Sequence, residues 1–193
     1  MIRAFPKIFA IGTDYIRDIF KGEVEITEKL DGSQFSWAKI NGELYFRSKG
    51  KQQFAEAPDK MFADAIEYVK GIEHLLEEGI VYHAELFNRP KHNILAYDRT
   101  PANGLALFGM RVHTSDKFMD SYQLLEHTAS ELGIEAVPKL HYGNVSDPQE
   151  LLAFLERDSI LGGAQIEGVV VKNYNQPFLL GGQPNPMIVT GKR

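Results

Sequence analysis

No cysteine occurs among the 193 residues, which excludes disulfides, thiolate zinc sites and cysteine nucleophiles together. Any metal must therefore be held by oxygen or imidazole. No apolar run approaches the roughly 20 residues that a bilayer span requires, and Pro6 and Lys7 interrupt the opening MIRAFPKIFAIG before it forms a signal-peptide layout. The expectation is a cytosolic protein with no membrane partner. An excess of positive charge is missing too: 21 Lys and Arg stand against 26 Asp and Glu, a net charge of -5. The surface as a whole is thus not built to grip phosphate backbones, and any nucleic-acid contact must be a local basic groove. Gly162-Gly163 and Gly181-Gly182 fit neither a phosphate-binding loop nor a dinucleotide fingerprint. The histidines show no His-x-x-His or His-Glu-x-x-His spacing, so His83 and His92 read as surface or core residues. Repeats, low-complexity tracts and linkers are also absent from the sequence.

What remains is the composition of an ordinary globular protein, 44% hydrophobic and 24% charged, of a length that suits one domain, 1–193. Val24 to Leu30 and Gln34 to Ile40 read as strands with Asp31-Gly32 as the turn between them, and Asn41-Gly42 is a two-residue hairpin signal leading into Glu43 to Arg47. An antiparallel meander is expected there. From Pro58 apolar residues recur every three or four positions up to Gly79, which predicts an amphipathic helix. Ile80 to Phe87 and Gly104 to Val112 read as strands flanking a long polar connection, Asn88 to Asn103. Ser121 to Leu132 predicts a second helix and Asp147 to Arg157 a third, opened by an Asp cap and Pro148. Gln165 to Lys172 is rich in β-formers, and after Gly181-Gly182, Pro184 and Pro186 a last strand runs from Met187 to Thr190. Strands at both ends with helices between them suggest an α+β fold with antiparallel sheets.

Three short motifs carry chemistry. In Glu28-Lys29-Leu30-Asp31-Gly32 a lysine ends a strand before a glycine turn, where backbone and phosphate can approach closely. Desolvation or a neighbouring cation would make its amine a nucleophile; the plain alternative is a solvated lysine beside a hairpin turn. In His83-Ala84-Glu85-Leu86-Phe87 a carboxylate interrupts an apolar strand and could accept from ribose hydroxyls, or else simply face water. In Ile166-Glu167-Gly168-Val169-Val170-Val171-Lys172 an acid sits at the mouth of a β-branched run, where Glu167 could hold Mg²⁺ or its water. Alone, each is ordinary.

Their order is more specific. Lys-x-Asp-Gly, then Glu in a strand, then an aromatic in the next strand, then Glu-Gly-x-Val-x-Lys, then a terminal lysine resembles the covalent nucleotidyltransferase superfamily of ATP-dependent DNA ligases, RNA ligases and mRNA capping enzymes. The stretch HAELFNRPKHNILAYDRTPANGLALFGMRV is most similar to the branch that includes phage RNA-repair ligases. The resemblance implies two antiparallel sheets flanked by helices with a nucleotide cleft between them, ATP as cofactor with Mg²⁺ or Mn²⁺, and RNA ends or nicks as partner. By the same resemblance Lys29 would attack the α-phosphate of ATP and become adenylylated, with Asp31 and Gly32 completing the nucleophile motif. Glu28 would lie at the adenine edge, Gln34 would face the ribose, Glu85 would bind ribose hydroxyls and Phe108 would stack on adenine. Glu167 would serve the metal, Lys172 would close the Glu-Gly-x-Val-x-Lys pattern in the nucleotide site, and Lys192 would contact the α-phosphate.

Departures from the pattern are visible as well. Where the family has Ser-Arg or Lys-Arg this chain reads Arg47-Ser48-Lys49, so the phosphate-gripping cation is Arg47 or Lys49. The late motif is Thr190-Gly191-Lys192, with one lysine where two are common. Ligases of this kind continue into a further domain, which implies that a separate domain or protein takes its place after Arg193; the chain itself is expected to be a monomer, in the host cytoplasm if phage-encoded. A DNA ligase, a guanylyltransferase of the capping type and a non-catalytic module that holds a nucleotide or RNA end are the alternatives.

Overall fold

The computed structural model describes the backbone of residues 1–180 and 183–192, and the side chains of these except at 15, 177–180 and 183–187. Gly181-Gly182 and Arg193 lie outside the described residues. Along the chain run β1 (Phe9–Ala10), β2 (Val24–Lys29), β3 (Ser33–Ile40), β4 (Glu43–Ser48), β5 (Gln52–Gln53), α1 (Ala63–Gly71), β6 (Ile80–Leu86), β7 (Leu105–Val112), α2 (Tyr122–Glu131), β8 (Glu135–Ala136), β9 (Lys139–Gly143), α3 (Leu151–Leu155), β10 (Gly168–Leu180) and β11 (Gln183–Lys192). They fall into two compact units. The first comprises Met1–Phe5, Asp31–Ile94 and Arg99–Ala136; the second comprises Pro6–Leu30, Leu95–Asp98 and Val137–Arg193.

The first unit holds a six-stranded sheet in the order β5-β4-β3-β6-β7-β8. Strand alternation sends Phe35, Trp37, Tyr82 and Leu107 to one face, where they pack with Phe62, Ile66 and Val69 of the α1 region and with Leu125, Ala129 and Leu132 of the α2 region. Trp37 and Tyr82 stack with ring centroids 5.6 Å apart. Burying side chains of this size contributes about 1.5–3 kcal/mol each, which fixes the strand register. The opposite face carries Gln34, Ser36, His83 and Glu85, and the N-terminal residues Ile2 and Phe5 pack on it.

The second unit holds a five-stranded sheet in the order β1-β11-β10-β2-β9. Val24 and Ile26 of β2 with Val169 and Val171 of β10 and Val189 of β11 form its apolar face, covered by Ile16, Ile19, Val145 and Leu151.

Several sequence expectations are corrected. Val24 to Leu30 and Gln34 to Ile40 do not form a meander: β2 pairs with β10 and β9, while β3 pairs with β4 and β6. Asp31-Gly32 therefore links two sheets. Asn41-Gly42 is the true hairpin turn, with φ of 52° and 76°, as its type requires. The helix expected up to Gly79 stops at Gly71, a poor helix former, and continues as a 3-10 turn over Glu73–Leu75. The third helix is likewise a 3-10 turn, Pro148–Glu150, followed by α3, with Asp147 and Glu150 forming a reciprocal capping box. The sheets are mixed rather than antiparallel, because the two-residue strands β1 and β8 join β11 and β7 in parallel. For β8 the reason is the α2 crossover that returns the chain in the direction of β7. The last strand extends over Gln183–Lys192 rather than Met187 to Thr190.

Candidate active site

In the five-stranded sheet, Lys29 on β2, Gly168 on β10 and Lys192 on β11 lie side by side in register. Directly paired residues share a face, so the two lysines flank the glycine on one side of the sheet. Glu167 precedes that glycine, and its carboxylate takes both amines: Lys29 Nζ is 3.0 Å from Oε2 and Lys192 Nζ 3.0 Å from Oε1. The side chains of Lys29 and Glu167 are only 26% and 18% exposed, whereas that of Lys192 is 55% exposed. Position 168 admits no side chain, since a Cβ there would lie 2.3 Å from the Gly191 carbonyl. The close approach of β11 that this permits is what brings Lys192 within reach of Glu167. Three residues nominated from sequence thus meet.

Further along the same face, Lys172 and Glu25 form a buried pair with Nζ 3.7 Å from Oε2. Burial pushes the Lys172 amine below its ordinary range, opposed by the neighbouring Glu25 charge. Glu28 points to the other side of β2. Its carboxylate is buried and accepts the Ile160 N–H at 3.1 Å, while Oε1 has no hydrogen-bond partner among the described residues. Burial raises its pKa, offset in part by Ser159 and Ile160. Its backbone N–H donates to the Pro138 carbonyl at 3.0 Å.

The other nominated residues belong to the first unit. Gln34 and Glu85 face each other across β3 and β6. Phe108 is the extra residue of a bulge, since His83 pairs with Gly109 and Ala84 with Leu107. Its half-buried ring lies 6.1 Å from the His83 ring at 29° and meets Phe5 edge-on at 5.1 Å. His83 is fully buried and its Nδ1 bonds Ser36 Oγ at 2.6 Å, so of the surface and core roles left open by the sequence it takes the core one. Arg47 is engaged within its own unit: NH1 donates to the Ile2 carbonyl at 2.9 Å and Nε to the Ser48 carbonyl at 3.0 Å. Lys49 is exposed in the turn between β4 and β5.

Asp31 and Gly32 are held by residues that sequence reading passed over. Asn93 Nδ2 donates to the Gly32 carbonyl at 2.8 Å, and the Ile94 N–H donates to the Asp31 carboxylate at 2.8 Å. His92 Nε2 lies 2.8 Å from Ser33 Oγ. A Cβ on Gly32 would fall 2.8 Å from both the Leu86 carbonyl and the Phe87 ring, so close approach is what requires glycine there. The length of the 88–103 connection was the available signal; the partners of individual residues within it were not encoded in any local pattern.

The RNA ligase family model matches residues 22–181. The chain belongs to the RNA ligase family. Among solved structures, this RNA ligase family chain is similar to a Naegleria gruberi RNA ligase with PPi, at a TM-score of 0.69 and 16% identity over 97% of this chain and 56% of that one. A variant of the Naegleria gruberi enzyme with ATP and Mn gives a TM-score of 0.64 at 16% identity, covering 97% of this chain and 58% of that chain. An archaeal ATP-dependent RNA ligase gives 0.64 at 18% identity, over 98% of this chain and 48% of that one. The chain thus spans about half the length of the ligases it matches, 48% to 58%. At these identities the likeness shows a shared fold. No curated protein matches the chain, and no helix among the described residues is long and apolar enough to cross a membrane.

Proposed function

We propose that this chain carries the nucleotidyltransferase part of an ATP-dependent RNA ligase, with Lys29 as the residue that takes AMP. The observation that carries the reading is the Lys29–Glu167–Lys192 cluster: two amines on one carboxylate at the end of a rigid three-strand register. An amine so placed suits covalent catalysis, because the sheet fixes its Cα and only its own side chain has to move. For attack the Lys29 amine must leave Glu167 and release one proton to water, and a second goes to water as the phosphoramidate nitrogen becomes neutral. A nitrogen–phosphorus bond then forms at the α-phosphorus, the bond from that phosphorus to the oxygen bridging to the β-phosphate breaks, and pyrophosphate departs with the electron pair. Lys192 offers positive charge to the phosphate oxygens as they develop charge, the kind of electrostatic help that dominates such transfers.

Glu85 is assigned the ribose hydroxyls with Gln34 beside it, and Phe108 the adenine ring. Among the described residues no group of three or more His, Asp or Glu is arranged to hold a metal. A divalent cation at Glu167 would complete its shell with water and triphosphate oxygens, which suits Mg²⁺ or Mn²⁺. Bound there, it would supply further positive charge beside the phosphates. AMP would pass from Lys29 to a 5′-phosphate RNA end and be displaced by a 3′-hydroxyl, sealing the strand.

Incubation with labelled ATP or labelled GTP, followed by a denaturing gel, tests the first step. Label from ATP alone should stay on the protein and disappear in Lys29→Ala, a loss on the order of 10³-fold or more. Label from GTP would indicate a capping-type guanylyltransferase. No label from either, with RNA binding retained, would indicate a binding module. Sealing of matched RNA and DNA nicks then separates an RNA ligase from a DNA ligase.

A further inference from the structure

From Asn88 to Ile94 the connection after β6 contains two cations, Arg89 and Lys91, and no acid. In a chain of net charge -5, such a local reversal of sign matters to a polyanion. The segment is also fixed in place. Asn93 Nδ2 donates to the carbonyls of Gly32 at 2.8 Å and Asp31 at 3.4 Å, and the Ile94 N–H donates to the Asp31 carboxylate at 2.8 Å. The Asn88 N–H donates to His92 Nδ1 at 3.3 Å. A backbone N–H can only donate, so Nδ1 is the acceptor, the ring proton sits on Nε2, and that nitrogen donates to Ser33 Oγ at 2.8 Å. Burial and the Arg89 charge hold the His92 pKa below its ordinary value, against the opposing pull of Asp31, which favours this neutral form.

What the fixed segment presents is distinctive. Arg89 Nε donates to the Lys91 carbonyl at 3.0 Å, which sets the course of its side chain. Among the described residues neither Arg89 nor Lys91 forms an ion pair, whereas Lys51, Lys70 and Arg99 each meet a carboxylate. Ile94 is 84% exposed although its backbone is anchored.

We propose that residues 88–94 form an RNA-contact surface beside Asp31–Ser33, with Arg89 and Lys91 on backbone phosphates near the strand end and Ile94 against a base or ribose. The proposal rests on the RNA ligase reading above. An acidic protein surface would answer the two cations alone; the exposed isoleucine and the attachment to the segment that follows Lys29 favour a polynucleotide end.

The test compares the full chain with its R89A/K91A and I94A variants. Binding of a 5′-phosphorylated single-stranded RNA oligonucleotide is followed by fluorescence anisotropy over a range of salt, and lysyl-adenylate formation is measured with ATP alone. In R89A/K91A the affinity should fall about tenfold at low salt and the slope of log K against log salt should shrink by about 1.4, as expected for two single-strand phosphate contacts. Adduct formation with ATP alone should be unchanged. In I94A binding should weaken with the slope preserved. Unaltered RNA affinity and slope in R89A/K91A would overturn the proposal, as would a loss that only tracks reduced adduct yield and melting temperature, since the loop would then merely support Asp31–Ser33. A labelled polyglutamate peptide is titrated in the same way, and binding of it that is lost in R89A/K91A while RNA binding stays intact would overturn the proposal and assign the surface to an acidic protein. A wild-type chain that forms no adduct would sink the ligase reading, yet the anisotropy series would still decide the role of the loop.

Discussion

Two lysine–glutamate pairs belong to the five-stranded sheet: Lys29 and Glu25 lie four residues apart on one face of β2, and their partners Glu167 and Lys172 lie five residues apart, just before and within β10. Lys29 and Glu167, at the strand ends, are 3.0 Å apart, partly exposed and joined by a second lysine. Lys172 and Glu25, within the sheet, are 3.7 Å apart with side chains 2% and 5% exposed. The chemistry of the partners is the same, so their surroundings set what each pair can do. At the sheet end, on the proposed reading, Lys29 would exchange its carboxylate for a phosphate, since the group is partly exposed and Glu167 would keep Lys192. Inside the sheet, separation would strand a buried charge, and the pair acts as a structural tie.

The largest effect that would sharpen this contrast is expected at the sheet end. Glu167→Gln and Lys192→Ala should each slow lysyl-adenylate formation by about 10²- to 10³-fold, measured by single-turnover labelling, while thermal melts stay close to wild type. A large drop in melting temperature for either would mean that the cluster is structural, like its buried counterpart.

Inside the sheet the order should invert. Glu25→Ala should destabilise the fold by about 3 kcal/mol in urea unfolding, because it removes the carboxylate that the buried Lys172 amine faces, whereas replacing both partners, Glu25→Leu with Lys172→Met, should be nearly neutral. The double variant also examines the role that family resemblance implies for Lys172. If that lysine serves the nucleotide, the folded double variant will lose adenylylation; the buried geometry predicts that it will not.

The smallest effect concerns Glu28, on the opposite side of β2. Its pKa is raised by burial, so its contribution to stability is fully present below the unfolded value, about 4.3, and is lost as pH rises through the folded value. The melting temperature of wild type relative to Glu28→Gln should therefore improve on going from about pH 8 to about pH 5. An opposite trend would mean that Ser159 and Ile160 outweigh desolvation.

Much of this fold was legible in local pattern. The Asn41-Gly42 hairpin, the strands β3, β6 and β7, the Ser121 cap of α2 and the Asp147-Pro148 start all follow from short-range chemistry. Pairing between distant strands was not legible. Asp31-Gly32 has the composition of a hairpin turn, yet the chain changes sheets there, and only the nearness of Leu86 and Phe87 shows why glycine is needed. Strand β9, Lys139–Gly143, lacks a clean apolar alternation and is made a strand by its place beside β2. For the site, Lys29, Glu167 and Lys192 could be nominated from motif order, but their meeting depends on a three-strand register. Glu25, Ser159, Asn93 and His92 sit outside any motif, and their roles come from contacts across long stretches of sequence.

The central claim is that one specific amine carries AMP. The most direct measurement is peptide mass spectrometry of the chain after incubation with ATP and a divalent cation, under conditions that preserve acid-labile phosphoramidates. AMP should be found on the peptide containing Lys29 and nowhere else. An adduct on Lys192 or Lys172, or a fully covered sequence with Lys29 unmodified, would contradict it.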